Sequence, residues 1–221
     1  MREQARWRRP RLVAKEDPDA EQVCAGIRAA ISALPCGAVV LVEDETHVHL
    51  LPWVRATGVL RGRRQQVMTP GANERRTVFG ALDVVTGAWH YAVSGKADSA
   101  AFIAFATGLL QLYASAPVIA LLCDNGSIHH SRVTQAWLAE HPRLWLLHGA
   151  GYSPHHNPVE RIWAALKTCL ANTPTATMAA RIGQVHAFFR WSSPTQLLAT
   201  AAPASSPWLP EGYAQNLRRA A

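Results

Sequence analysis

The stretch PVIALLCDNG (117–126) decides the fold, because it joins a buried strand to a carboxylate at its end. Its apolar run has no polar interruption, which is typical of a strand covered on both faces of a helix-flanked sheet. Asp124 follows this run directly. Open α/β sheets bind their ligands at the carboxyl ends of strands, so Asp124 is a candidate site residue. The alternative is a plain turn residue, since Asp124-Asn125-Gly126 is also a favourable turn sequence.

A second apolar run, AVVLVEDE (38–45), also leads into acidic residues. It predicts a buried strand over residues 38–44, which brings Asp44 to the rim of the same sheet. Side chains alternate along a strand, so we expect one or two of Glu43, Asp44 and Glu45 to face solvent.

The third acid, Glu160, lies in NPVERIW (157–163), where a helix is predicted to begin. As an alternative, Asn157 and Glu160 form a capping box. Three carboxylates from separate elements suit a metal site, because Mg²⁺ is a hard cation that takes oxygen ligands. Two such ions, roughly 3.5–4 Å apart, can clamp the attacking and leaving oxygens of a phosphoryl transfer. Asp44, Asp124 and Glu160 are therefore the candidate catalytic residues and metal ligands.

The remaining patterns predict a mixed α/β domain. Apolar spacing and β-rich composition predict helices over 19–34, 97–114, 129–140, 158–170 and 178–191, and strands over 75–85, 88–94 and 143–148. Asp19 is a predicted N-cap, as is Asp98 or Ser99, and Thr86-Gly87 predicts a hairpin turn. Residues 48–69 are expected to be irregular or a hairpin, and the proline-rich segment from 194 to be extended. Three leading strands followed by alternating helices and strands imply a mixed sheet with helices on its faces.

The composition describes a globular and basic protein. Of 221 residues, 49% are hydrophobic and 17% are charged, which excludes a disordered chain. The net charge of +7 favours a polyanionic partner such as nucleic acid, with a merely basic protein as an equal alternative. No apolar run reaches the roughly 20 residues of a membrane span. The widely spaced cysteines form no C-x-x-C pair, so a reduced cytoplasmic compartment is the simplest interpretation.

Two longer motifs resemble the mariner-like superfamily of DDE transposases, on its bacterial insertion-sequence branch. CDNGSIHHS (123–131) matches the family's D-N-x-x-x-H pattern, and YSPHHNPVERIWAALK (152–167) matches its S-P-x-x-N-P-[IV]-E-x-x-W pattern. Thirty-five residues separate Asp124 from Glu160, as in the family, and Asp44 lies in the family's strand-end D-E pattern. The resemblance covers about residues 37–170.

The resemblance implies a ribonuclease-H-like fold, a mixed β-sheet flanked by α-helices. It also implies that Asp44, Asp124 and Glu160 form the acidic triad and hold two Mg²⁺ or Mn²⁺ ions. The implied activity is cleavage of double-stranded DNA at insertion-sequence ends, followed by strand transfer into a target. A homodimer is a candidate for the active complex, in a bacterial protein of the cytoplasm and the nucleoid.

The chain departs from the family in two respects. The loop before Glu160 reads HGAGYSPHH (148–156), where family members usually carry an apolar, proline-rich sequence. Too few residues precede the first strand for the family's helix-turn-helix modules. We therefore expect a basic arm and linker helix over 1–36, a catalytic domain over 37–192 and an extended tail over 193–221. We expect such a chain to be a catalytic half, which puts autonomous transposition in question but not the metal chemistry.

Basic residues outside the triad are candidate DNA contacts, because they bind backbone phosphates in a salt-sensitive, sequence-independent manner. These candidates are Arg61, Arg63, Arg64, Arg75, Arg76, His129 and Lys167. The alternative is a solvated basic surface, or a structural hydrogen bond in the case of His129. The arm contributes a further run that resembles the family's interdomain linker: Arg6, Arg8, Arg9 and Arg11.

Two other functions stay open. A nuclease of the same fold would cleave DNA without joining its ends, and an inactive truncated remnant would only bind DNA. An assay for 3′-end joining separates the first from a transposase, and a metal titration separates the second. Zinc is not expected, because the pairs His129-His130 and His155-His156 lack the three- or four-residue spacing of ligands on one helix face.

Overall fold

The computed structural model describes residues 17–213, which form a mixed sheet with helices on both faces. The strands are β1 (Val39–His49), β2 (Arg75–Asp83), β3 (Trp89–Ser94), β4 (Ile119–Cys123) and β5 (Leu144–His148). The α-helices are α1 (Ala20–Ser32), α2 (Ser99–Leu112), α3 (Ser127–His130), α4 (Arg132–Ala139), α5 (Val159–Cys169), α6 (Met178–Trp191) and α7 (Pro194–Ala201). Short 3₁₀ helices span Pro154–His156 and Pro203–Ser205.

Strand β1 lies at the centre of the five-stranded sheet, whose order is β3-β2-β1-β4-β5. It pairs antiparallel with β2 and parallel with β4, and β5 extends the parallel half. The predicted hairpin is confirmed, since β2 and β3 pair antiparallel around Gly87, whose positive φ of 76° suits the turn. Every residue of β4 is buried, as its apolar sequence requires. The predicted fold class, a mixed sheet flanked by helices, is confirmed.

The two faces of the sheet bury separate hydrophobic clusters. On β1, Val42 belongs to a cluster with α1, α5, α6 and α7, whereas Leu41 belongs to a cluster with α2. Because side chains alternate along a strand, Asp44 follows the α5 face, and Glu43 and Glu45 follow the α2 face. The acidic part of β1 therefore places carboxylates on both sides of the sheet.

Two predicted elements differ from the structure by more than a shift of one or two residues at an end. Strand β1 does not end at Asp44 but continues to His49, because β2 pairs with it over this whole length. The helix predicted over 129–140 is divided into α3 and α4. The Ser131 hydroxyl accepts the Thr134 amide at 3.1 Å and caps a new helix at that point.

The two predicted N-caps behave differently. The Asp98 side chain accepts the Ala101 amide at 2.9 Å and caps α2 as predicted. Asp19 precedes α1, but its side chain makes no capping hydrogen bond within the described residues. Helix α1 instead depends on packing, because it buries Cys24 and Ile27 against the sheet.

The segment after α6 is folded, so the prediction of an extended tail from residue 194 is wrong for the part that the structure describes. Ser193 and Gln196 form a reciprocal capping box, and Pro194 occupies the first turn of α7. This segment buries apolar side chains in the same cluster as α5: Leu197, Leu198, Ala201, Trp208 and Leu209. Pro194, which suggests a break in the sequence, therefore helps to begin a helix.

Residues 50–74 connect β1 to β2 without a regular helix or strand, in agreement with the irregular structure predicted for 48–69. Asn172, just beyond α5, holds this connection: its amide donates to the Arg55 carbonyl at 2.9 Å, and its side-chain oxygen accepts the Arg55 amide at 3.0 Å. The arginines predicted for the N-terminal arm lie outside the described residues. Among residues 17–213, no helix is both long and apolar enough to cross a membrane.

Candidate active site

Asp44 lies in the middle of the central strand, with its side chain on the α5 face. It is opposite Gly80 of β2 and is only 8% exposed. Gly80 has no side chain, and a Cβ there would come within 2.6 Å of the Trp163 ring. Trp163 belongs to α5, so the missing side chain lets this helix approach the strand beside Asp44.

Asp124 directly follows β4, the parallel neighbour of β1. The register pairs Val42 with Leu122, so two residues further along the strands Asp44 is level with Asp124. The Asp124 Oδ1 also accepts the Gly126 amide at 2.8 Å. Asp124 can therefore be both a turn residue and a site residue, because its carboxylate accepts a hydrogen bond within the turn and still lies level with Asp44.

Glu160 lies in the first turn of α5, and Asn157 fixes the position of that turn. The Asn157 Nδ2 donates to the Glu43 carbonyl at 2.9 Å, and its Oδ1 accepts the Val159 amide at 2.9 Å. Glu43 is the residue before Asp44. The helix that carries Glu160 is thus tied by a side-chain amide to the strand that carries Asp44.

The capping-box alternative for Glu160 is not realised. A capping box requires the Glu160 side chain to accept the backbone amide of Asn157. That amide donates instead to the Pro154 carbonyl at 3.0 Å. The Glu160 carboxylate therefore does not serve the helix end and is available to the cavity beside it.

The three carboxylates line one cavity of about 380 Å³. Strand β1, the end of β4 and the start of α5 contribute one carboxylate each. The turn after β4 and the loop before α5 complete the wall, with Tyr152, Ser153 and Trp208 among the lining residues. The structure therefore brings together Asp44, Asp124 and Glu160 from distant parts of the chain, while their role as metal ligands stays a prediction.

The negative charges of the site repel one another. The pKa of the Asp44 carboxyl is raised well above its usual range, first by burial and then by the negative charges of Glu160, Glu45 and Asp124. The pKa of Asp124 is lowered, first by its contact with His129 and also by the Gly126 N–H. Bringing a cation between these carboxylates would relieve their repulsion.

The donor set fits a hard divalent cation. The Asp44 Oδ2 is buried and has no hydrogen-bond partner among residues 17–213. A buried carboxylate oxygen without a partner is costly, so a bound cation would stabilise its charged form. The neighbouring ligand atoms are carboxylate oxygens, the class that Mg²⁺ and Mn²⁺ prefer.

None of the three acids at 43–45 is exposed, so the expectation that one or two face solvent is wrong. Glu43 is fully buried, and Glu45 keeps only 16% of its side chain exposed. The reason is that helices cover both faces of β1. Glu43 and Glu45 lie beside His129 of α3 instead of in solvent.

The predicted DNA contacts are distributed over two exposed areas. Arg61, Arg63 and Arg64 lie on the exposed connection 50–74. Arg75 and Lys167 lie near the end of β1, and Arg76 forms an ion pair with Glu74 at 3.8 Å. Burial lowers the pKa of His47 there, and the charges of Arg75, His49 and Lys167 lower it further. These positions agree with the prediction and do not test it.

The prediction that His129 contacts DNA is contradicted, because the side chain is fully buried. Its ring packs edge-on against Phe102 of α2, with 4.6 Å between centroids. Its Nε2 lies 3.4 Å from the Asp124 Oδ1, longer than a good hydrogen bond. His129 therefore has a structural place behind the cavity.

Sequence reasoning missed two features of this site. Asn157 lies in a quoted motif, but its link to β1 does not follow from the motif, because the partner is a backbone carbonyl distant in sequence. The contact of Glu43 and Glu45 with His129 was missed as well. The alternation E-x-E on a strand was the available signal, since it places two acids on the face opposite Asp44.

A family model described as DDE superfamily endonuclease matches residues 39–180, which contain all three carboxylates. A curated relative from Shigella sonnei, the insertion element IS630 uncharacterized 39 kDa protein, is 36% identical over 190 residues. The matched region covers 85% of this chain and 55% of the relative. The chain thus spans about half the length of that relative.

Solved structures of Mos1 mariner transposase are similar in fold. The catalytic domain gives a TM-score of 0.63 at 14% identity, covering 91% of this chain and 94% of that chain. The mariner Mos1 paired end complex with Mg gives a TM-score of 0.68 at 16% identity, covering 98% of this chain and 66% of that chain. These likenesses confirm the predicted ribonuclease-H-like architecture.

The family resemblance predicted from the motifs is confirmed, because the family model, the relative and the fold agree. The chain belongs to the DDE superfamily of endonucleases and is related to an insertion-element protein of the IS630 type.

Proposed function

We propose that this chain is the catalytic domain of a transposase that cleaves DNA strands and transfers them to a target with the help of divalent metal ions. The observation that carries the proposal is the convergence of Asp44, Asp124 and Glu160 on one cavity. Family membership supports it, because the matched family is one of endonucleases. Strand transfer is supported by the fold shared with a solved Mos1 strand transfer complex.

Asp44 and Asp124 would share two Mg²⁺ or Mn²⁺ ions, and Glu160 would complete the second ion's site. When bound, the ions supply activation of the attacking oxygen and stabilisation of the leaving oxygen in an in-line phosphoryl transfer. Solved Mos1 complexes with Mg and with Mn support this choice of cations.

Hydrogen bonds and packing within the chain hold the three carboxylates in position. The Gly126 N–H holds the Asp124 carboxylate, and the Asn157 amide holds the first turn of α5 next to β1. Burial in the central strand fixes Asp44, which is only 8% exposed. Ligands that are held before the cation arrives need no reorganisation when it binds, which favours catalysis.

Double-stranded DNA is the proposed partner, both as transposon end and as target. The exposed arginines of the connection 50–74 and Lys167 of α5 would contact its phosphates. Mos1 has been solved in a paired-end complex with a transposon end, which supports a DNA substrate and a homodimer in the active complex. We expect the protein to act in the bacterial cytoplasm, beside the nucleoid.

The test is nicking of supercoiled plasmid DNA by the chain in the presence of Mn²⁺, followed by a joining assay with labelled duplexes that carry the element's terminal sequence. We expect Mn²⁺-dependent nicking that Asp44→Asn abolishes, and joining of the labelled 3′ ends to plasmid. The matched control is Asp98→Asn, which changes a carboxylate at the cap of α2. Nicking without joining would indicate a nuclease, and DNA binding without nicking would indicate an inactive remnant.

A further inference from the structure

On the face of the sheet opposite Asp44, two glutamates of β1 surround a histidine of α3. The His129 Nε2 lies 3.6 Å from the Glu45 Oε1 and 3.8 Å from the Glu43 Oε2. The three side chains offer ligand atoms that all lie within 4.8 Å of one another. None of the three belongs to the acidic triad, so this cluster is a separate feature behind the cavity.

The cluster is buried, and hydrogen bonds do not satisfy it. The side chain of Glu43 is 0% exposed and that of His129 is 1% exposed. Within the described part of the chain, neither oxygen of the Glu43 carboxylate nor either ring nitrogen of His129 has a hydrogen-bond partner. Buried polar atoms normally have such partners, and an uncompensated buried charge costs several kcal/mol. The negative charge of the cluster therefore requires a proton or a cation.

The distances favour a cation. A charge-assisted hydrogen bond would bring nitrogen and oxygen to about 2.7–2.9 Å, which is shorter than any of these contacts. Ligands held about 2.0–2.2 Å from one tetrahedral ion lie roughly 3.4 Å from each other. The Nε2 of His129 lies 3.6 Å from Glu45 and 3.8 Å from Glu43, which is close to this spacing.

The cluster has one member that is not fully buried. Glu45 keeps 16% of its side chain exposed, and the neighbouring Asp124 side chain is 54% exposed. The side of the cluster nearest to solvent is therefore at Glu45 and Asp124.

We propose that Glu43, Glu45 and His129 form a second cation site, distinct from the acidic triad, that binds Zn²⁺. Imidazole nitrogen suits Zn²⁺ better than Mg²⁺, whereas an all-oxygen set suits Mg²⁺. The spacing of the adjacent histidine pairs argues against zinc on one helix face, but here the other ligands come from a strand. The bound ion ties β1 to α3.

The experiment measures Zn²⁺ binding to the full chain in which Asp44→Asn and Glu160→Gln remove two carboxylates of the triad. Calorimetry should still detect Zn²⁺ binding that excess Mg²⁺ does not displace, and Zn²⁺ should raise the thermal unfolding midpoint. Adding Glu43→Gln should weaken the affinity by more than about tenfold, since even outer-shell losses cost that much. The matched control is Glu140→Gln, which neutralises an exposed glutamate beyond α4 and should leave the affinity unchanged.

Two outcomes overturn the site. One is the absence of Zn²⁺ binding in the Asp44→Asn, Glu160→Gln background, which would leave a shared proton as the compensating charge. The other is binding that Glu43→Gln does not change, which would assign the Zn²⁺ to surface histidines. If Glu43→Gln does not unfold cooperatively, Glu45→Gln carries the same test. No cleavage is measured, so the failure of this site would leave the proposed function standing.

Discussion

The side-chain amide of Asn157 donates to the Glu43 carbonyl at 2.9 Å and so joins the helix of Glu160 to the strand of Asp44. Asn157 is only 4% exposed, and its oxygen accepts the Val159 amide. One amide group therefore spans both elements. The position of the third acid relative to the first depends on this hydrogen bond as well as on apolar packing.

Asn157→Asp should damage activity more than stability. The new carboxylate keeps the acceptor for the Val159 amide but has no donor for Glu43, and leaves a buried carbonyl unpaired. We expect the free energy of unfolding to fall by about 1–3 kcal/mol. We also expect Mn²⁺-dependent nicking to disappear where the variant is still folded. Urea unfolding and plasmid nicking at one temperature measure the two effects.

The control for Asn157→Asp is Asn172→Asp at the other end of α5. It makes the same chemical change, because Asn172 also accepts a backbone amide and donates to a carbonyl, both of Arg55. These bonds hold the connection 50–74 and not the helix start at Glu160, so nicking at saturating DNA should be near normal. Nicking that is equal in the two variants would show that Asn157 does not position Glu160.

Asp124→Asn should separate stability from activity. The asparagine side-chain oxygen can still accept the Gly126 amide, so the turn after β4 is kept. Loss of the charge relieves repulsion with Asp44 but also removes the favourable contact with His129 that lowers the pKa of Asp124, so the metal-free protein should melt at nearly the same temperature. Nicking should collapse, because an amide is a poorer ligand for a hard cation. Unchanged melting with near-normal nicking would rule out Asp124 as a catalytic ligand.

Arg63→Gln should weaken DNA binding without changing its sequence preference. Arg63 lies on the exposed connection 50–74, where binding of a phosphate is the proposed role. The slope of log affinity against log salt should become shallower by about 0.9 for each phosphate that the variant no longer neutralises. Fluorescence anisotropy with a random duplex measures this slope. Arg190→Gln, an exposed arginine at the end of α6, should leave the slope unchanged, and equal slopes in the two variants would contradict the proposed role of Arg63.

The order of strands and helices could be predicted from the sequence because its signals are local. The apolar run before Asp124 gives β4, and the helical spacing gives α5 and α6. The prediction of an extended tail was wrong because it relied on the four prolines. It did not take account of the capping box at Ser193 or the burial of Trp208. Its fold depends on contacts with α5, and such contacts cannot be read from local spacing.

The acidic triad could be predicted because Asp124 directly follows a strand, Glu160 begins a helix and the motif spacing is specific, although Asp44 lies inside β1 and not at its end. The surroundings of the triad could not be predicted from the sequence. The register that sets Asp44 level with Asp124 depends on the pairing of β1 with β4, and the burial of Glu43 depends on helices that cover both faces. Such relations arise only when distant segments pack together.

Gly80→Ala should destabilise the protein and disturb the site, whereas Gly108→Ala should stabilise it. A methyl group at Gly80 would meet the rings of both Trp89 and Trp163, which pack against each other with 5.2 Å between ring centroids. Overpacking of this kind typically costs about 1–3 kcal/mol, and nicking should fall because α5 is displaced from Asp44. Gly108 lies inside α2 with nothing within 4 Å of an added Cβ, so alanine should add about 0.5–1 kcal/mol through helix propensity. Urea unfolding of both variants and plasmid nicking check the pair, and a Gly80→Ala protein as stable and active as the wild type would show that the close approach of α5 to β2 is not needed.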